Sequence, residues 1–198
     1  MSLLTERLPS SVEAAGEARA VDPDFRLMVE LEAAAASAEG LVPEQLEALL
    51  RRFYRQEPPP GPEDAVEGML WFYRCGREEQ GGKGAATGPR AYDFGQDAEA
   101  LYTSFLQAYR IDLSADAVHW WKFRRLMFGL PADTPFAQRL HYRTADTSGM
   151  GKEQRKHYGK MKRLYAIGAQ SRRRETLAQR DARMQAYVER RFAEAERG

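Results

Sequence analysis

The residues His-Trp-Trp-Lys-Phe at positions 119–123 decide how this chain folds. Adjacent side chains on an α-helix point roughly 100° apart, so Trp120 and Trp121 cannot enter the same neighbouring surface. Two large aromatic side chains therefore need cover on two sides of their helix. Ser114 is a favourable N-cap, and the apolar spacing that follows it predicts a helix over Ala115–Phe128.

Hydrophobic residues recur at helical spacing through much of the remaining chain. The first two helices, joined by a short connection, should form a helical hairpin. Near the amino end, Ala15-Gly16-Glu17 between Val12 and Val21 predicts a short β-turn. The fold class is thus mainly α, a domain of about seven or eight helices with a small N-terminal β-hairpin. Besides Ala115–Phe128, the apolar spacing places helices at Phe25–Ala36, Pro43–Phe53, Glu63–Glu79, Ala98–Tyr109 and from Pro135 through Leu140 to Tyr142.

Two acidic residues predict where helices begin. Asp22 precedes Pro23, which gives an N-cap followed by proline at the first helical position. Asp93, with Gln96 three residues later, forms a capping-box pattern. Each pattern predicts that a carboxylate accepts a hydrogen bond from a backbone N–H that the helix itself leaves unpaired.

Proline and glycine divide the chain into segments. The proline run at 56–62 can be neither helix nor sheet and predicts a stiff connector. A glycine-rich segment near 80–91 predicts a mobile loop that separates two helical halves. Residues 1–168 are expected to form one helical domain, and residues 169–198 a basic amphipathic helix that extends it.

The charges are distributed unevenly along the sequence. Residues 1–110 hold 11 Lys and Arg against 19 Asp and Glu, whereas residues 150–198 hold 14 against 6. Such halves can attract each other, a second copy of the chain or an acidic partner. The alternative is a solvated surface of mixed charge with no partner.

A basic block at Lys152–Arg163 carries six cations and one acid. It could neutralise the phosphates of a nucleic acid or meet an acidic face of another protein. The extension adds an apolar stripe that suits either a partner groove or the protein's own domain. Trp120 is also a candidate, because an indole can serve as a stacking platform, although a core position is the alternative. The candidate partner-binding residues are Trp120, Arg155, Lys156, Lys160, Lys162, Arg163, Met184, Val188 and Phe192.

The sequence offers no catalytic, metal-binding or cofactor-binding constellation. The single cysteine, Cys75, lies among aromatic residues and is expected to be a half-buried helix residue. The three histidines, His119, His141 and His157, lack the spacing of zinc ligands. No apolar run approaches the roughly 18 residues of a membrane span. We therefore expect a protein without enzymatic activity, metal or cofactor that remains in the cytoplasm where it is made and contacts no membrane.

Three blocks of the sequence resemble a known family. They are Tyr92–Ala98, Asp112–Phe123 and Lys152–Lys162, and their order and spacing are similar to those of the bacteriophage family called gene product 15. A weaker similarity continues through the amino-terminal half, so that the resemblance covers roughly residues 3–167. Residues 169–198 depart from the family pattern. The resemblance implies a mostly helical protein and supplies no catalytic residues.

The same resemblance implies a role in building phage tails. Members of this family are similar to tail assembly chaperones, which keep the long tape-measure protein soluble while tail-tube subunits polymerise around it. We therefore expect the tape-measure protein as a partner, with tail-tube subunits and self-association as further contacts, and absence from the finished virion. One alternative is a nucleic-acid-binding or regulatory phage protein that uses the basic C-terminal helices. Another is a structural component of the tail.

Overall fold

The described residues form seven α-helices and one two-stranded β-hairpin. A computed structural model describes residues 5–37, 40–77 and 91–168, which divide into two compact units at the boundary between Leu140 and His141. The expected mainly α fold is confirmed. In chain order the elements are β1 (Ser11–Ala14), β2 (Glu17–Ala20), α1 (Phe25–Ala35), α2 (Pro43–Phe53), α3 (Pro62–Tyr73), α4 (Phe94–Tyr109), α5 (Trp120–Phe128), α6 (Pro135–Thr144) and α7 (Lys152–Tyr165).

The predicted β-hairpin is confirmed. Strands β1 and β2 pair antiparallel, with Ser11 opposite Ala20. Ala15 and Gly16 both have positive φ, 54° and 75°, as a tight two-residue turn requires when it matches the twist of its strands. Val12 is buried, and strand β1 packs against α3. The hairpin is therefore part of the core of the first unit.

The aromatic residues of the first unit meet around Phe123 of α5. Its ring stacks on Phe25 of α1 at a centroid distance of 4.4 Å and on Phe105 of α4 at 5.1 Å. Helix α1 also packs against α2, as the predicted helical hairpin requires. Burying rings of this size is the largest apolar contribution to a core of this kind. Phe123 is fully buried and joins three helices.

The two tryptophans are covered on different sides, as their adjacency predicts. Trp120 is fully buried and stacks on Tyr73, with ring centroids 5.6 Å apart. Trp121, 2% exposed, lies against Trp71 and Phe72 instead. Both rings pack on the end of α3, so this contact joins the two segments that flank residues 78–90 in the chain.

The predicted start of α5 is wrong. The helix begins at Trp120, and its N-cap is His119 rather than Ser114. Residues 118 and 119 are not helical, because the backbone here is bonded to a distant segment: Phe25 N–H donates to the Val118 carbonyl, and Trp120 N–H donates to the carbonyl of Pro23. Ser114 lies in a turn in which both its N–H and its hydroxyl donate to the Asp112 carboxylate.

The start of α1 and the end of α3 also differ from the prediction, in both cases because of local hydrogen bonds or backbone geometry. Helix α1 is capped by Asp24, whose side chain accepts from Arg26 N–H at 3.0 Å, whereas Asp22 accepts from Asp24 N–H. Helix α3 ends at Tyr73 instead of reaching residue 79. Cys75 has a φ of 58°, which ends the helix in a Schellman turn, so it is half-buried as expected but not helical.

The N-cap of α4 is confirmed, with a different partner in one bond. Asp93 accepts from Gln96 N–H at 2.8 Å, as the capping-box pattern predicts. Asp93 N–H donates to the carboxylate of Asp97 at 3.1 Å, whereas the capping-box pattern predicts Gln96 as the acceptor. Most of the predicted loop near 80–91 and the whole predicted extension at 169–198 lie outside the described residues.

A candidate partner-binding surface on helix α7

The basic block forms helix α7, Lys152–Tyr165. Its first turn carries Glu153 and its last turn carries Lys162 and Arg163. Acidic residues near the amino end and basic residues near the carboxyl end oppose the helix dipole and stabilise the helix. Gly151 precedes the helix without a side-chain cap, and Lys152 and Arg155 offset the favourable charge of Glu153 at this end.

Four cations of α7 share one face. Lys152, Lys156 and Lys160 follow one another at four-residue spacing, and Arg163 lies seven residues after Lys156. All four side chains are exposed. Within residues 5–37, 40–77 and 91–168 none of the four has an ion-pair partner. We call these four residues the cationic face.

The other two cations of the block hold the preceding turn. Arg155 donates from Nη2 to the carbonyl of Met150 at 3.0 Å and to that of Ser148 at 3.3 Å. The pKa of Asp146 is lowered, chiefly by hydrogen bonds from Ser148 and to a smaller extent by the charge of Lys162. Arg155 and Lys162 therefore have local roles besides any contact with a partner.

The side of α7 away from the cationic face carries aromatic rings. Tyr158 and Tyr165 are seven residues apart, and the ring of Tyr142 from α6 lies 5.3 Å from the first and 5.9 Å from the second. The ring of His141 is joined to Tyr158 by a 3.1 Å hydrogen bond between Nε2 and the hydroxyl. Sequence reasoning did not bring Tyr142 and His141 together with the tyrosines of α7. We call these four residues the aromatic cluster.

This cluster is incompletely covered. Among residues 141–168 no side chain is buried, and Leu164 is 54% exposed. Rings and apolar side chains that stay half in water gain stability when a second apolar surface removes that contact. Helix α7 thus combines a partly open aromatic side with a row of exposed cations. Both are properties of surfaces that bind another protein.

The remaining predicted partner-binding residues lie elsewhere. Trp120 is fully buried, and its Nε1 donates to the carbonyl of Tyr73 at 2.9 Å, so it has the core role that was the alternative. We do not include it in the binding surface. Met184, Val188 and Phe192 lie outside the described residues.

The described residues show neither a metal-binding group nor a membrane-spanning helix. In residues 5–37, 40–77 and 91–168, no group of three or more His, Cys, Asp or Glu side chains is arranged to hold a metal ion. Among the same residues, every helix is too short or too polar to span a bilayer. Burial raises the pKa of the Cys75 thiol, although the nearby arginines act in the opposite direction.

The fold and this surface define a mainly α-helical protein in which helix α7 is exposed and charged. The chain belongs to the bacteriophage Gp15 protein family, whose model matches residues 4–167. The resemblance stated from the three sequence blocks is therefore confirmed, including its extent, and the protein is a phage protein. Neither the curated proteins nor the solved structures contain a match.

Proposed function

We propose that this protein is a tail assembly chaperone that binds the tape-measure protein before the tail tube closes around it. The observation that carries the proposal is the α7 surface, where residues 141–168 place rings and cations together without burying any side chain. Family membership supports the phage context. On this proposal the protein acts without catalysis or cofactor, works in the host cytoplasm and leaves before the virion is complete.

The physical basis is temporary cover of apolar helix faces. A tape-measure protein is a long helical chain whose apolar faces would otherwise aggregate before assembly. Leu164 lies four residues after Lys160, so it offers apolar contact to such a helix beside the cationic face, which adds charge complementarity. The aromatic cluster offers a second, partly covered apolar area on the other side of α7.

Co-expression tests this proposal. The tape-measure protein of the same phage is produced with wild-type protein, with the L164D variant or with the control variant L106D, and its soluble fraction is measured. Leu106 is also an exposed leucine, 40% accessible, but lies on α4 in the first unit. Wild type and L106D should keep the tape-measure protein soluble, and L164D should not. An insoluble tape-measure protein in all three cultures contradicts the proposal.

The cationic face, whose residues form no ion pair within the described part of the chain, favours a second candidate, binding of nucleic acid. Phosphates neutralised by Lys152, Lys156, Lys160 and Arg163 would give an affinity that falls steeply with salt. Titration of double-stranded DNA at two salt concentrations tests this candidate, with a quadruple glutamine variant as the comparison. A third role, as a retained tail component, is tested by mass spectrometry of purified particles.

A further inference from the structure

A pocket of about 410 Å³ lies between the end of α3 and helix α5 in the first unit. Two of its arginines are neighbours on α5, and two flank the Schellman turn after α3. Sequence reasoning did not predict the pocket, because about fifty residues separate the two pairs. Its lining consists of Arg74, Cys75, Arg77, Arg124, Arg125, Phe128 and Gly129.

The pocket is built on a rigid base. The indole Nε1 atoms of Trp120 and Trp121 donate to the last carbonyls of α3, those of Tyr73 and Phe72. These bonds fix α5 against the end of α3. Gly76 has a φ of 70°, and a Cβ there would lie 2.8 Å from the Trp121 ring, so the turn approaches the indole closely. The arginines therefore extend from positions that packing has fixed.

Aromatic rings and carbonyl oxygens orient the two arginines of α5. The guanidinium of Arg124 lies 5.8 Å from the ring centre of Phe128 and 5.5 Å from that of Trp120. Arg125 donates from Nη1 to the carbonyl of Trp121 at 3.3 Å. Within the described part of the chain, neither arginine forms an ion pair. The guanidinium groups of Arg124 and Arg125 are thus held in place, and no described carboxylate neutralises their charge.

The pocket also has an apolar rim. Phe128, the last residue of α5, is 52% exposed, so part of its ring is open to contact. Guanidinium groups bind carboxylates through paired, charge-assisted hydrogen bonds. A ring beside them adds contact area for an apolar side chain of the same ligand. The combination fits a peptide segment that carries carboxylates next to an apolar residue.

We propose that this arginine pocket binds an acidic segment of a partner protein, with its carboxylates on Arg77, Arg124 and Arg125 and an apolar side chain on Phe128. Nucleic acid fits less well, since phosphate chains are bound by long rows of cations. Residues 1–110 also hold 19 acids against 11 bases, and this negative balance repels phosphates. The proposal concerns the first unit and does not depend on the α7 surface or on the identity of the tape-measure partner.

Calorimetric titration of the full-length protein tests the pocket. The probe is a short synthetic peptide of Glu, Asp and Leu, and its matched control replaces each acid by Gln or Asn. The acidic peptide should bind, and the R77Q/R125Q variant should weaken its binding at least about tenfold, equivalent to about 1.4 kcal/mol. The K122Q variant removes one charge from an exposed position on the same helix and should change the affinity less than about twofold.

Three results would overturn the proposal. The first is equal binding of the acidic peptide and its amide control. The second is unchanged affinity in both R77Q/R125Q and the single variant R77Q, whose exposed side chain can be replaced without disturbing α5. The third is a single-stranded oligonucleotide that displaces the peptide and loses its own affinity in R77Q, which would assign the pocket to nucleic acid. Melting curves confirm that each variant is folded.

Discussion

The indole Nε1–H of Trp121 donates a 2.8 Å hydrogen bond to the carbonyl oxygen of Phe72, 49 residues earlier in the chain. That carbonyl belongs to the last turn of α3, where helical partners run out. The bond therefore completes the end of one helix with a side chain of another. Together with the bond from Trp120 to the Tyr73 carbonyl, it holds α5 against the end of α3.

Replacing Trp121 by Phe should lower the free energy of unfolding by about 2–4 kcal/mol. The substitution removes the indole donor to the Phe72 carbonyl, which keeps its bond from Cys75 N–H, and leaves a small cavity beside α3. Trp71 to Phe is the control, since the half-buried Trp71 makes no hydrogen bond through Nε1 within the described residues. Urea unfolding measures both variants. An equal loss in the two would show that ring volume, not the hydrogen bond, determines the effect.

The N-cap of α5 should make stability depend on pH. Nδ1 of His119 accepts from Trp121 N–H at 3.0 Å, and Nε2 donates to the Pro9 carbonyl at 2.9 Å, which requires a neutral ring. Burial lowers the pKa of His119 below its ordinary value of 6.5. The unfolded chain therefore takes up the proton at higher pH than the folded protein. Stability is complete above about pH 6.5 and falls as the pH drops towards the folded pKa.

Urea unfolding at about pH 7.5 and about pH 5.5 measures this effect. His119 to Asn keeps a cap-forming side chain but cannot titrate, so the variant should lose this part of the difference between the two pH values. His141 to Asn, at an exposed position, is the control and should retain it. A wild-type difference that H119N leaves unchanged contradicts the assignment.

Gly68 should tolerate no side chain. A Cβ there would lie 2.5 Å from the Tyr54 hydroxyl oxygen and 3.2 Å from Cγ2 of Val12, where α3 meets β1. Although alanine favours helices, Gly68 to Ala should destabilise the protein by about 1–3 kcal/mol through overpacking. Gly159 is also inside a helix, but a Cβ there meets only Arg163 at 3.9 Å. Gly159 to Ala should therefore not lower stability, and thermal melting distinguishes the two.

The ion pair between Arg139 and Asp97 should matter more than an exposed one. Nη1 lies 3.1 Å from Oδ1, and the carboxylate is 1% exposed. Arg139 to Met removes the arginine that pairs with this buried carboxylate and should cost about 3 kcal/mol. Arg52 to Met breaks the exposed pair with Glu30 and should cost less than about 1 kcal/mol. If the unfolding free energies of the two variants agree, burial is not the determining factor.

Most of the fold follows from local sequence patterns. Apolar spacing, proline at first turns and the cap at Asp93 act within a few residues, so the sequence predicts the helices and the hairpin. The start of α5 could not be predicted in this way. His119 caps the helix because residues 118–120 bond to Pro23 and Phe25, more than ninety residues away. Ser114 has the better local pattern, yet its side chain is used by Asp112.

The candidate surfaces likewise combine features that follow from local sequence with features that depend on distant contacts. The cationic face is contiguous in the sequence, and helical periodicity alone places its residues together. Tyr142 belongs to another helix, and its contact with Tyr158 and Tyr165 depends on tertiary packing. The arginine pocket combines the end of α3 with α5 and has no local signal. Absence of enzymatic activity, the partners and the position in the virion stay predictions.

The most direct test of the central claim is affinity capture of the tape-measure protein by the tagged full-length protein at low and at high salt. Apolar contact with the aromatic cluster and Leu164 predicts a complex that survives high salt, because screening weakens exposed charge pairs far more than apolar burial. Capture of nucleic acid alone, released as the salt rises, would contradict the chaperone account and favour phosphate binding by the cationic face.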